Sequence, residues 1–297
     1  MEFGRVTPNQ LKKIDFTLPP EPAYNKKVLP GKKNSNPSVY VGCAKWGRKE
    51  WVGKIYPPGT PEKKYLEHYV QHYNSIELNA TTYKMPTPPQ VKSWSEKAGD
   101  NEFIFCPKLV KYIVPNGNLS RELEFTNTYL KAVKEFGKHL GPNFLMLPEN
   151  YAPVKKEGLI DYLKSFPPGA PLFIEFRHPG WFSDKKIQQD IFDVLKRLKI
   201  GTVITDTAGR RDCCHMHLTL PKAFIRFVGN SLHTTDYSRL DAWVKRIKIW
   251  IDNGLQEIYF FMHMHDEAKS PELTVYLVDK LNKECKLNII RPTFVKS

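Results

Sequence analysis

The sequence predicts an α/β fold: a single (β/α)8 barrel of TIM type with an irregular arm in front of it. Three observations carry that expectation. Eight short apolar runs start at residues 39, 75, 103, 144, 172, 201, 223 and 257, a spacing of 22 to 41 residues that suits repeated strand–helix units. Amphipathic helical patterns lie between most of them. The first run is followed by "GCAKWGRKEW" rather than a glycine fingerprint, which argues against an open dinucleotide-binding sheet.

Residues 1–38 are set apart. They hold six of the 24 prolines and the polar run "GKKNSNPS", so they read as an irregular arm that packs through Phe16 and Leu18. The barrel is expected over 39–297. Its strands are "VYVGCA" (39–44), "SIELNAT" (75–81), "FIFCPKL" (103–109), "FLMLP" (144–148), "LFIEFR" (172–177), "GTVITD" (201–206), "AFIRFVG" (223–229) and "EIYFFMH" (257–263). Each is β-branched or aromatic and stops at Gly, Pro or polar residues, as buried parallel strands do. "PEKKYLEHYVQHY" places Tyr65, Leu66, Tyr69, Val70 and Tyr73 on one helical face. "RELEFTNTYLKAVKEFGKHL" reads as a long helix that stops before Gly141-Pro142. "QQDIFDVLKRLK" groups Ile191, Val194, Leu195 and Leu198, and "RLDAWVKRIKIWIDNG" runs to Gly254. The stretch "TAGRRDCCHMHLTLPK" (207–222) is too broken for a helix, so the link between the sixth and seventh strands is expected to be irregular.

No window approaches the ~20 apolar residues of a membrane span. The opening "MEFGRVTPNQ" lacks an apolar signal core, and five cysteines form no framework spacing, so reduced thiols and a cytoplasmic location are expected. Net charge is +14, which favours an anionic partner, either a small molecule or nucleic acid. There is no P-loop, G-x-S-x-G or dinucleotide motif, which removes Walker-type NTP hydrolysis, serine hydrolysis and NAD chemistry.

Alternation along strands aims charge at the barrel mouth. In "LFIEFR", Phe173, Glu175 and Arg177 share a face. Glu77 pairs with Asn79, Cys106 with Lys108 and His263 with His265, while Asp206 and Arg226 add charge from the sixth and seventh strands. These residues support two kinds of function. One is a hydrolase-like enzyme on a phosphodiester or another anionic substrate. Glu175, His178, Asp206 and Glu77 would be its acid–base groups, and Arg177, Arg226, Lys108, Asn79, Tyr83, Trp46, Trp181 and His263 would bind substrate. Glu77 with Glu175 would also suit glycoside hydrolysis. No cofactor is expected; a divalent ion, if one is used, would sit on His263, His265, Asp206 and Glu175, with Arg177 competing for Glu175. The other kind is a non-catalytic binder of nucleic acid or a metabolite. It would stack on Trp46, Trp51, Tyr56, Tyr83 and Trp181 beside Lys45, Arg48, Lys49, Lys108, Arg210 and Arg211.

Plainer roles compete with each. Glu77 and Arg226 can simply neutralise one another, because a buried charge needs a partner. Trp51 and Trp94 suit packing. Cys43 suits a small buried thiol better than a nucleophile. "RRDCCHMH" lacks zinc-ligand spacing and reads as a loop.

The motifs "VGCAKWGRKEWVGKIYPPG", "YNSIELNATTYKMPTPPQVKSW", "FLMLPENY", "IEFRHPGWF", "ITDTAG" and "AFIRFVGN" resemble the DUF72 (YecE-like) family over residues 39 to about 270. The resemblance implies a TIM barrel. Matched position by position, it also implies site roles for Trp46, Tyr56, Glu77, Asn79, Tyr83, Glu175, Arg177, His178, Trp181, Asp206 and Arg226. The chain departs from the family pattern at Met146, where an inward amide is usual, and at His263 and His265, where an asparagine pair is usual.

Overall fold

A computed structural model of the chain describes residues 3–296. The eight strands are β1 (Ser38–Cys43), β2 (Ser75–Leu78), β3 (Ile104–Pro107), β4 (Asn143–Met146), β5 (Leu172–Glu175), β6 (Gly201–Asp206), β7 (Lys222–Gly229) and β8 (Glu257–Met264). All neighbours pair in parallel, in the order β3-β2-β1-β8-β7-β6-β5-β4. Isolated parallel bridges Phe105–Leu140 and Lys108–Phe144 bring the two ends together, so the barrel is nearly closed. This is the expected α/β TIM-type architecture.

The outer layer holds α1 (Pro88–Ala98), α2 (Leu119–Val133), α3 (Lys156–Ser165), α4 (Lys185–Arg197), α5 (Thr234–Asp252) and α6 (Ser270–Cys285). Two helices are shorter than their apolar periodicity suggests. The tyrosine-rich segment before β2 is helical only over Tyr65–Tyr69, although Tyr65, Leu66, Tyr69, Val70 and Tyr73 are all buried as read. The long helix after β3 breaks into a 3-10 segment, Lys134–His139, with Gly137 at φ 55°. Among the described residues, no helix is long and apolar enough to cross a membrane.

The link over 207–222 carries only one 3-10 turn, Arg211–Cys213. A barrel lacking a helix there would leave the backs of β6 and β7 bare. The arm closes that gap. Asn25 donates to Met216 O (2.9 Å) and accepts from Leu218 N (2.8 Å), and Tyr24 Oη donates to Phe192 O on α4 (3.0 Å). Glu21 accepts from Trp250 Nε1 on α5 (2.9 Å). Leu18 is buried, and Phe16 lies under the guanidinium groups of Arg211 and Arg239. Upstream, Phe3 and Gly4 reach the mouth, where Thr207 and Gly209 bond to their carbonyls.

Inside the barrel, Cys106, Phe144, Phe173, Val203, Phe224, Tyr259 and Phe261 form a closed apolar layer, separate from the core between strands and helices. A Cβ on Gly201 would lie 2.2 Å from the Phe173 ring, so this strand position needs glycine for the ring to fill the floor. The floor keeps water from crossing the barrel and leaves the next layer up accessible from the strand C-termini alone.

Candidate functional site at the barrel mouth

Directly above the aromatic floor lies a charged layer, set by one further step of strand alternation. Arg226 from β7 is its centre. Its Nε and Nη2 donate to Glu77 Oε2 (2.7 Å) and Oε1 (2.9 Å), a fork-on-carboxylate pairing. Its Nη1 donates to both oxygens of Glu175 (2.9 and 2.8 Å). Glu175 Oε1 also accepts from Arg177 Nε (3.0 Å) and Thr205 Oγ1 (2.8 Å). Glu77 Oε1 accepts from Asn79 Nδ2 (2.9 Å), and its Oε2 lies 2.9 Å from His263 Nε2. All four carboxylate oxygens therefore have partners.

Burial alone would raise the Glu175 carboxyl, but Arg177, Arg226 and Lys108 outweigh it and bring it down to about 2. Burial likewise opposes ionisation of Glu77, yet Arg226 and His263 hold it well below the usual carboxylate range. Both stay ionised at neutral pH.

The layer is the base of a cavity of about 490 Å³. Arg226, Arg177, Lys108, Asn79, His263 and His265 all face it, as does Tyr83, which is 74% exposed. The rim adds Lys45, Arg48, Glu50, Asp266 and Glu267, with Arg48 3.8 Å from Glu267. From the arm, the Phe3 ring stacks on the Arg177 guanidinium, 4.1 Å from ring centre to Cζ, and fixes its plane.

Several expected site residues lie elsewhere. Asp206 faces outward, because Val203 and Thr205 take the inner positions of β6. It is wholly buried against the helical layer, accepting from Arg239 Nη2 (2.8 Å) and Trp243 Nε1 (2.7 Å) of α5 and pairing with Arg211. Burial raises its carboxyl, but Arg239 and Arg211 prevail and lower it. His178 is one residue past Arg177 and turns away from the cavity. Its Nδ1 accepts from Gly180 N (3.0 Å), at the start of the turn Gly180–Ser183. Trp181 is buried against Phe176 and donates to Tyr151 O (2.7 Å). Trp46 packs edge-on against Trp94 at a separate surface pocket, and Tyr56 and Trp51 are fully buried among aromatic rings.

The four residues expected to hold a metal are thus not brought together. Asp206 is on the other side of the sheet, and Glu175 and His263 face an arginine or a carboxylate instead. Among the described residues, no group of three or more His, Cys, Asp or Glu has metal-binding geometry. The Cys213, Cys214, His215 and His217 side chains sit in the packed 207–222 link. Cys43 is fully buried, and burial pushes its thiol up to about 12, which removes it as a nucleophile.

Sequence reading missed Phe3, Thr205 and the acidic rim. Thr205 was legible, since alternation along "GTVITD" selects it together with Val203. Phe3 was not, because its contact spans the whole length of the arm.

The fold and the mouth together define a TIM-type barrel protein with a pre-organised, ion-paired polar pocket at the C-terminal ends of its strands. The family described as "Protein of unknown function DUF72" matches residues 40–294, and the chain belongs to it. The chain is 27% identical over 263 residues to the UPF0759 protein YecE of Escherichia coli K12, covering 82% of this chain and 93% of that protein. It is 27% identical over 162 residues to the UPF0759 protein YunF of Bacillus subtilis 168, covering 52% of this chain and 55% of that protein. A crystal structure of a DUF72 family protein (EF0366) from Enterococcus faecalis V583 superposes with a TM-score of 0.69 at 15% identity, over 87% of this chain and all of that one. This likeness shows the shared barrel fold.

Proposed function

We propose that the mouth takes a small anionic substrate, gripped by Arg177 in a pocket that Lys108 also lines, and that Glu77 and Glu175 position the cations rather than move protons. One observation carries this reading: every oxygen of both carboxylates already has a donor, while Arg177 uses only its Nε on Glu175 among the described residues and still faces the cavity. A carboxylate at about 2 is a weak base at neutral pH, so the expected hydrolytic role for Glu175 finds little support. The remaining cationic edge suits a carboxylate or phosphate. A cavity of about 490 Å³ suits a metabolite-sized ligand.

The alternative is a nucleic-acid binder, favoured by the +14 net charge and by exposed Tyr83 at the rim. Glu50, Asp266 and Glu267 on the same rim oppose a phosphate chain. Thermal-shift titrations with phosphate, oxalate and a short single-stranded oligonucleotide separate the two. Small anions are expected to stabilise the protein, and Arg177→Met to raise their dissociation constants about 10- to 100-fold, the worth of a charged hydrogen bond. Stabilisation by the oligonucleotide alone, or an Arg177→Met protein that binds small anions unchanged, refutes the proposal.

A further inference from the structure

We infer that Lys108 is a reactive amine that forms an imine with the carbonyl carbon of a small anionic oxo compound whose anionic group lies on Arg177. The inference deepens the anion-binding reading above and rests on it.

Lys108 follows β3 on the inner face, and its backbone is fixed by a hydrogen bond to Leu78 O (3.2 Å) and the bridge to Phe144. Its side chain is only 7% exposed, yet it lines the cavity. Nζ contacts soft groups: Met146 Sδ at 3.1 Å and the Phe144 ring, 5.8 Å from Nζ to its centre. Among the described residues, no carboxylate lies within ion-pair distance of Nζ; Glu77 and Glu175 are spent on the guanidinium groups. Lys108 is left beside two arginines.

Burial lowers the Lys108 ammonium first. Arg226 from β7 and Arg177 beyond β5 add to that, Glu175 and Glu77 oppose it, and the balance falls at about 8. Near neutral pH roughly a tenth of the groups are free amine, far more than for an exposed lysine. Desolvation beside another cation is how amines become nucleophiles at neutral pH.

The chemistry balances without a co-reactant. The free amine attacks the carbonyl carbon, a C–N bond forms and the C=O π pair moves to oxygen. A proton passes from nitrogen to that oxygen. The hydroxyl of the resulting carbinolamine takes a second proton from solvent and leaves as water while the nitrogen lone pair closes C=N, and the iminium nitrogen returns that proton to solvent. One amine and one carbonyl give one imine and one water, with no change in oxidation level. Met146 places a thioether sulfur, a weak acceptor, against Nζ, which does little to hold the ammonium in its charged form.

The test uses the full chain with pyruvate and sodium cyanoborohydride, followed by peptide mass spectrometry resolved to each lysine. Lys108 is expected to label at least about tenfold faster than exposed lysines, and its rate to fall about tenfold per pH unit below pH 7. Acetone, a ketone without the anion, is expected to label Lys108 at least about tenfold more slowly than pyruvate, and Arg177→Met to erase that preference. Lys108→Met, with its fold checked by circular dichroism, is expected to lose the fast site alone. Labelling of Lys108 no faster than exposed lysines in the wild-type chain overturns the inference. If oxalate and phosphate still stabilise the protein in that case, only the imine fails. If pyruvate and acetone label Lys108 equally fast, the anion-binding reading fails and the reactive amine stands.

Discussion

Arg226→Met is expected to lower the unfolding free energy by about 3–5 kcal/mol, read from urea denaturation at neutral pH. The residue is 2% exposed and donates four hydrogen bonds to Glu77 and Glu175, which are themselves buried. Methionine keeps much of the volume, so the loss comes from Glu77 stripped of its main counter-charge and Glu175 left with Arg177 and Lys108. The same logic gives a sharper outcome in a second variant. Glu77→Gln alone should also destabilise, because it leaves Arg226 with one partner. Placed on top of Arg226→Met, it should be neutral or stabilising, since it then removes an uncompensated charge. The coupling between the two positions should exceed about 1 kcal/mol. Additive effects, or an Arg226→Met change below about 1 kcal/mol, would mean the mouth layer is not held together by this arginine.

That layer also marks how far the sequence could be read. Strand alternation put Glu77, Lys108, Glu175, Arg177, Arg226 and His263 on one face, and all six face the cavity or form its base. A two-residue period is a geometric property of any strand, so it survives without knowledge of neighbours. Asp206 turns outward because its parity in β6 is opposite to that of the inward Val203 and Thr205, whatever its charge and its place at the strand end suggest. Its true partners, Arg239 and Trp243, lie on α5, whose sequence reads as an ordinary amphipathic helix. His178 turns away for the same reason, one step beyond the inward Arg177. Trp46 and Trp181 have the composition of a binding site, but Trp181 is buried in packing and the half-buried Trp46 lies against Trp94 away from the mouth, a distinction that depends on neighbouring helices. Nothing local in residues 1–18 announces that Phe3 will stack on a residue of β5's loop or that the arm will stand in for a missing helix.

Acid is expected to unfold the protein from the mouth and the β6–α5 junction together. Glu77, Glu175 and Asp206 all have carboxyls held below their ordinary range in the folded chain and return to it on unfolding. A carboxyl lowered by folding stabilises the native state fully above its unfolded value and loses that contribution as pH falls towards its folded one. For Glu175 the window runs from the ordinary 4.5 down to about 2, and its share is bounded at about 3 kcal/mol. Glu77 and Asp206 add losses of the same sign over the same acid limb. Urea midpoints should therefore begin to fall below about pH 6.5, where His72, His215 and His217, whose imidazoles burial holds below their ordinary value, take up protons only on unfolding, and fall more steeply below about pH 4.5. Glu175→Gln should lower stability at neutral pH, where Arg177 and Arg226 lose a counter-charge, and make the acid limb shallower, because the amide has no proton to gain. The two curves should converge near pH 2. Parallel curves would place the titrating carboxyls outside the ion-paired layer and remove Glu175 as its acid-sensitive member.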